Sequence, residues 1–349
     1  MIKIKFFFQK YWLFIILAAT VTILAYFYFF QRNSPQEKKE NLIPFSSPKI
    51  NFYESINPDL SQLEKDFPDF KKEIEIYQVS DNFISDQSAL KISKDFGYSE
   101  NPIVTNDTRG PIYTWSNEFN NLSIYLKEGR FQYGFDLLRN PELIQGEPPG
   151  IQESEQKFKE LLKEKGLNYP EKVSLEFTEE SYYLTSGANF LKTSQIDPKK
   201  SFAFLQALYK INGLKIIGPE KPLISVYFGN NFQIARFDFA KIFEKIDLLD
   251  KYPLKGKEEI LKSIKDNPQI SYLNNKEGFY NENLIYGEEI PSLKSLSFEK
   301  IELIYYKEVQ SQSYLQPVFL IMGSAVLEDG TQAEVGLYLP AIKDEYLLK

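Results

Sequence analysis

The chain has no cysteine and no histidine in its 349 residues. Without cysteine there are no disulfides, thiolate nucleophiles, zinc–thiolate knots or iron–sulfur clusters. Without histidine there is no Ser-His-Asp triad, no H-E-x-x-H zinc site and no imidazole to move protons near neutral pH. Most common hydrolase designs are thereby closed, and no cofactor is expected. An extracytoplasmic protein without disulfides also suits a bacterial envelope better than an animal secretory route. An excess of positive charge is lacking as well, with 41 Lys and Arg against 48 Asp and Glu. Net charge is −7, and acids and bases are interspersed, so no basic stripe exists to follow a phosphate backbone and nucleic acid is not an expected partner.

What is present is apolar and aromatic. Apolar residues make up 43% of the chain and aromatics 15%, with 29 Phe and 23 Tyr, a composition that packs rather than stays disordered. The longest apolar run, YWLFIILAATVTILAYFYFF at residues 11–30, carries no charge. A helix of that length rises about 30 Å, the hydrocarbon thickness of a bilayer, so the run predicts a single transmembrane helix. A cleaved secretory signal would need small residues after its apolar core, and here stand Tyr26, Phe27, Tyr28, Phe29 and Phe30. Tyr11, Trp12, Tyr26 and Tyr28 suit the two headgroup boundaries. Lys3, Lys5 and Lys10 before the run balance Arg32, Lys38 and Lys39 after it, but the first three sit in a ten-residue tail while two of the later three lie several residues beyond the membrane, which favours a cytoplasmic N-terminus and an extracytoplasmic body. Ala18, Thr22 and Ala25 fall on one helical face of the run, small enough to let another span approach closely.

The expected organisation is a tail (1–10), the span (11–30), a Pro-, Ser- and Lys-rich linker (31–50) and three α+β units at 51–150, 151–250 and 251–349. Helices are expected at 85–96, 153–165 and 257–265, each preceding a hairpin. The hairpins are LSIYLKEGRFQYGFDL turning at Glu128-Gly129, ISVYFGNNFQIARFDF turning at Gly229 to Asn231, and SAVLEDGTQAEVGLYLPAI turning at Asp329-Gly330. The first two suggest a repeat. Ser123-Ile124-Tyr125-Leu126 matches Ser225-Val226-Tyr227-Phe228, and Phe131-Gln132 with Phe135-Asp136 matches Phe232-Gln233 with Phe237-Asp238. Helix followed by antiparallel strands, repeated, predicts the α+β class.

The stretch at 301–342 has a strand ending in tyrosines, a Tyr-Leu-x-Pro-Val-Phe entry at Tyr314 to Phe319, and then a hairpin. It resembles the closing strands of the YycI/YycH-type regulators and of PepSY-like modules. The resemblance implies a non-enzymatic protein on the membrane, contacting a membrane sensor kinase or another envelope protein through its span and outer domain.

Catalytic patterns are sparse. Ser88-x-x-Lys91 and Ser297-x-x-Lys300 fit the serine–lysine arrangement without its S-D-N or K-T-G companions, Lys192-Thr193-Ser194 being the nearest. Glu179-Glu180 and Glu288-Glu289 are adjacent carboxylates of the kind a glycan hydrolase uses when the fold holds two about 5–10 Å apart. The loop Asn274 to Gly278 with Asn281, Glu282 and Asn283 is oxygen-rich but lacks the alternating ligands of a calcium loop. No phosphate-cradling glycine motif occurs. Two functions remain: a non-enzymatic regulatory or binding protein, and a carboxylate-dependent envelope enzyme.

Overall fold

The structure is a computed structural model, and it describes residues 20–23, 41–42, 56–80, 83–107, 110–136, 147–186, 189–194, 196, 201–218, 224–266, 270–274, 279–281, 292–308 and 312–348. Two compact units are present, Met1–Asn41 and Leu42–Lys349. The second is dominated by β-structure. Its α-helices among the described residues are short: α1 (Ser61–Lys65), α2 (Asp86–Asp95), α3 (Ile151–Glu164) and α4 (Lys257–Asp266).

Among the described residues, seventeen strands join in one sheet. After β1 (Glu73–Val79) and α2 come β2 (Ile103–Asp107), β3 (Gly110–Ser116), β4 (Asn120–Tyr125) and β5 (Arg130–Phe135), an antiparallel meander. After α3 come β6 (Val173–Ser186), β7 (Asn189–Thr193), β8 (Ser201–Ile211), β9 (Leu214–Ile217), β10 (Ile224–Phe228) and β11 (Ile234–Ala240). Here β6, β8, β10 and β11 lie side by side. The two meanders join edge to edge where β5 pairs with β11. Next, β12 (Ile246–Pro253) returns to pair with β1. After α4 come β13 (Tyr272–Asn274), β14 (Phe279–Asn281), β15 (Leu293–Tyr306), β16 (Tyr314–Leu327) and β17 (Gln332–Pro340). The ladder of β15, β16, β17 and β13 meets the rest through a parallel pairing of β15 with β9 and through β1 on β16.

The expected α+β class of repeated units is therefore overturned: the protein is mostly β, and strands of all three segments share one mixed sheet. The reason lies in strand length. β6, β15 and β16 are each 14 residues long and β8 is 11, so each outreaches a hairpin partner and pairs with strands of another segment. β8 is buried along nearly its whole length, which leaves no polar face for a separate unit to expose. The expected transmembrane helix at 11–30 lies, apart from residues 20–23, outside the described residues; so do Ala18 and Ala25, while Thr22 is described and exposed. Among the described residues no helix is long and apolar enough to cross a membrane. Within the expected linker, Leu42 is fully buried and its N–H donates to the Tyr346 carbonyl at 2.9 Å.

Helices cover one face of the joined meanders. Phe96, at the C-terminal end of α2, stacks near Phe131 and Tyr133 (ring centroids 5.6 and 4.7 Å), and Phe158 of α3 meets Phe237 edge-on at 6.1 Å. Phe131, Phe158 and Phe237 are fully buried, so this aromatic layer is the centre of the core. A smaller apolar cluster, including Leu208, Ile304, Tyr306, Val318 and Tyr338, is separate from it.

Candidate interaction face

Strand alternation places Leu122, Ile124, Phe131, Phe237 and Phe239 under the helices and leaves Ser123, Tyr125, Arg130, Gln132, Ser225, Tyr227, Arg236 and Asp238 on the opposite face. The register there is symmetric. In the first hairpin Ser123 pairs with Gln132 and Tyr125 with Arg130; in the second Ser225 pairs with Asp238 and Tyr227 with Arg236. Across the seam Gln132 pairs with Asp238, Phe131 with Phe239 and Tyr133 with Phe237. These pairings define a local two-fold through the Gln132–Asp238 pair, with one Tyr–Arg pair on either side.

The repeat read from the sequence is thus present in the first strands but misaligned in the second. Phe131 corresponds to Phe237 and Gln132 to Asp238. The connection between β10 and β11 is longer than that between β4 and β5, and it holds a 3₁₀ turn with Asn231 at φ 54°. That turn puts Phe232 before the strand instead of in it.

Both halves are held by local polar bonds. The Arg130 guanidinium lies 4.3 Å from the Tyr125 ring centroid, a cation–π contact, and the Tyr125 hydroxyl donates to Gln132 Oε1 at 3.4 Å. Arg236 donates through Nε and Nη2 to the two Asp238 carboxylate oxygens, at 2.7 and 3.3 Å, and Ser225 donates to the same carboxylate at 3.4 Å. Burial opposes the Arg236 charge, but the hydrogen bonds and attraction of Asp238 outweigh it and raise the pKa. Burial likewise raises Tyr227, so the phenol stays neutral.

An aromatic group extends the face. The Tyr227 ring lies 4.5 Å from Phe204 and 5.7 Å from Tyr183. Tyr183 donates to Glu179 Oε1 at 2.8 Å and Lys192 bonds the same oxygen at 2.9 Å. Burial raises the Glu179 pKa and these two bonds lower it; the bonds prevail and the net shift is downward. This constellation offers planar rings, two guanidinium groups and hydroxyls for recognition.

The sequence candidates for catalysis disperse. Glu179 faces Lys192, whereas neighbouring Glu180 lies exposed beside Glu155 and Lys159 of α3; partial desolvation and repulsion from Glu155 raise its pKa against the attraction of Lys159. Successive residues of a strand point to opposite faces, so adjacent carboxylates on β6 do not converge. Glu288-Glu289 and most of the oxygen-rich loop lie outside the described residues. Ser88 bonds Ser85 in the first turn of α2, and Ser297 bonds Ser324 across the β15–β16 pair at 3.0 Å. Neither is bonded to its lysine. Among the described residues no group of Asp and Glu is arranged to hold a metal ion.

The reading of single residues missed Arg130 and Arg236. The available signal was the Ser-x-Tyr of each first strand together with the arginine that opens or lies within each second strand, a match hidden by unequal turns.

No family model matches the chain, and no curated protein matches it. The crystal structure of an uncharacterized protein from Eubacterium rectale is similar with a TM-score of 0.42 at 10% sequence identity, covering 77% of this chain and 83% of that one.

Proposed function

We propose that this chain is a non-enzymatic regulatory or binding protein of the bacterial envelope. It is held at the membrane through the apolar residues 11–30, with its N-terminus in the cytoplasm and its body outside, and it meets a membrane sensor kinase or another envelope protein through the open sheet face. The observation that carries this reading is the two-fold set of Tyr–Arg pairs on the face opposite the described helices. Tyr and Arg are enriched among the residues that dominate protein contact surfaces, Tyr as a rigid amphipathic ring and Arg as a planar fork of donors that also stacks on rings. The division of Glu179 and Glu180 between opposite faces weighs against a carboxylate-pair enzyme.

The test is crosslinking and affinity recovery from the native membrane with the parent chain and with Arg130→Glu/Arg236→Glu. Recovery of a sensor kinase with the parent, lost with the double variant at an unchanged melting temperature, supports the reading. Equal recovery with both, or recovery of no membrane protein, contradicts it.

A further inference from the structure

A cleft of about 790 Å³ opens between the segment entering β1 and the connection from β12 into α4. That volume lies in the range of small-molecule sites. Its walls are tied together by the backbone: the Leu254 N–H donates to the Lys72 carbonyl at 2.9 Å, and the Lys343 N–H donates to the Pro253 carbonyl at 3.2 Å. Its floor is apolar. Leu254 is buried, and Phe70 is anchored to the core through Phe319 at 5.1 Å between ring centroids.

The rim carries Lys71, Lys72, Lys255, Lys257 and Lys343 against Asp69, Glu73 and Glu259, an excess of positive charge in a chain whose net charge is −7. The charges are not equally available. Glu259 accepts from the Gly256 N–H at 2.7 Å, so its carboxylate is engaged at the start of α4. Lys255 is buried and paired with Asp344 at 2.8 Å, and Lys257 donates to the Glu64 carbonyl at 2.6 Å. Lys71, Lys72 and Lys343 have no side-chain hydrogen bond or ion pair among the described residues.

We infer that this cleft binds an anionic lipid, with the apolar part against Phe70 and Leu254 and a phosphate head among Lys71, Lys72 and Lys343. The juxtaposition selects both halves of that ligand. A flexible ammonium group is a point-charge donor suited to phosphate oxygens, and three such groups beside an apolar floor match a charged head joined to a hydrocarbon body. A purely ionic ligand would leave the floor wet, and a neutral lipid would leave three charges unused. The cleft shares no residue with the Tyr–Arg face and does not depend on which protein meets that face.

The test is native mass spectrometry of the full chain in neutral detergent, with phosphatidylglycerol, phosphatidylcholine or glycerol 3-phosphate added. The expected result is a single phosphatidylglycerol adduct that falls at least about tenfold in Lys71→Glu/Lys72→Glu/Lys343→Glu and persists in the corresponding triple arginine variant, which keeps the charge. Should the glutamate variant melt earlier than the parent, Lys72→Gln/Lys343→Gln takes its place with the same readout. Equal adducts in parent and variant, equal uptake of phosphatidylcholine, or glycerol 3-phosphate bound as tightly as the lipid would each overturn the proposal.

Discussion

Three positions show how single residues set this sheet. A Cβ built on Gly323 would stand 1.8 Å from the Ser297 carbonyl oxygen, at the place where β15 bulges between Phe298 and Lys300. Only glycine lets the two backbones approach so closely. Gly323→Ala should therefore cost about 1–3 kcal/mol through forced backbone displacement, seen as a lower denaturation midpoint; an unchanged midpoint would mean that the bulge relaxes freely. Gly330 adopts φ 87° and its N–H donates to the Leu327 carbonyl, while the Leu327 N–H donates to Thr331. The turn is thus a three-residue loop with glycine at its left-handed position, and not the two-residue turn that Asp-Gly suggests, although the demand on Gly330 is the same. Gly330→Val should cost about 1–2 kcal/mol. The third position is Glu179, whose carboxyl is held below its ordinary value. A group with a depressed folded-state pKa stabilises above its unfolded value, about 4.3, and loses that contribution as pH falls through the folded value. In Lys192→Ala the NMR titration midpoint of Glu179 should move upward; a stationary midpoint would show that Lys192 does not hold it.

At the scale of elements, the helices were legible because their ends are marked. Ser85 accepts from the Ser88 N–H at 3.2 Å and caps α2, and Gly97 at φ 88° follows its end. Ser85→Ala should lower stability by about 1 kcal/mol by thermal melting, and no change would move the start of α2 elsewhere. Hairpins were legible from alternation, but their joining was not. The pairing of β5 with β11 links residues about a hundred positions apart, and nothing local in either strand selects that neighbour. None of the helices and hairpins expected from the sequence falls between Val173 and Gly218, because β8 is buried on both sides and so lacks the alternation that marks a half-exposed strand. One local signal there went unread: Asn212 and Gly213, both at positive φ, make the tight two-residue turn between β8 and β9 that this dipeptide favours. The interaction face was half legible. Its tyrosines stood in matched strands, while its arginines were displaced by the 3₁₀ turn before β11.

At the scale of the whole molecule, one sheet carries a helix-covered aromatic core on one side and the Tyr–Arg face on the other. A single substitution in that core should therefore be felt on the face. Phe237→Ala, removing a fully buried ring in the strand that also carries Arg236 and Asp238, should cost about 3–5 kcal/mol and weaken any contact made opposite it. A reporter enzyme fused after Lys349 should be active only in a form that works outside the cytoplasm, and activity confined to a cytoplasmic reporter would reverse the proposed orientation. The central claim is that the open face is where a membrane partner is met. A photoreactive amino acid placed at half-buried Ser123 or Gln132 on that face, and for comparison at exposed Lys262 on α4, tests it directly in the native membrane. The account predicts a discrete crosslinked membrane protein from the two face positions and none from Lys262. Adducts from Lys262 alone, or the same products from all three positions, would contradict it.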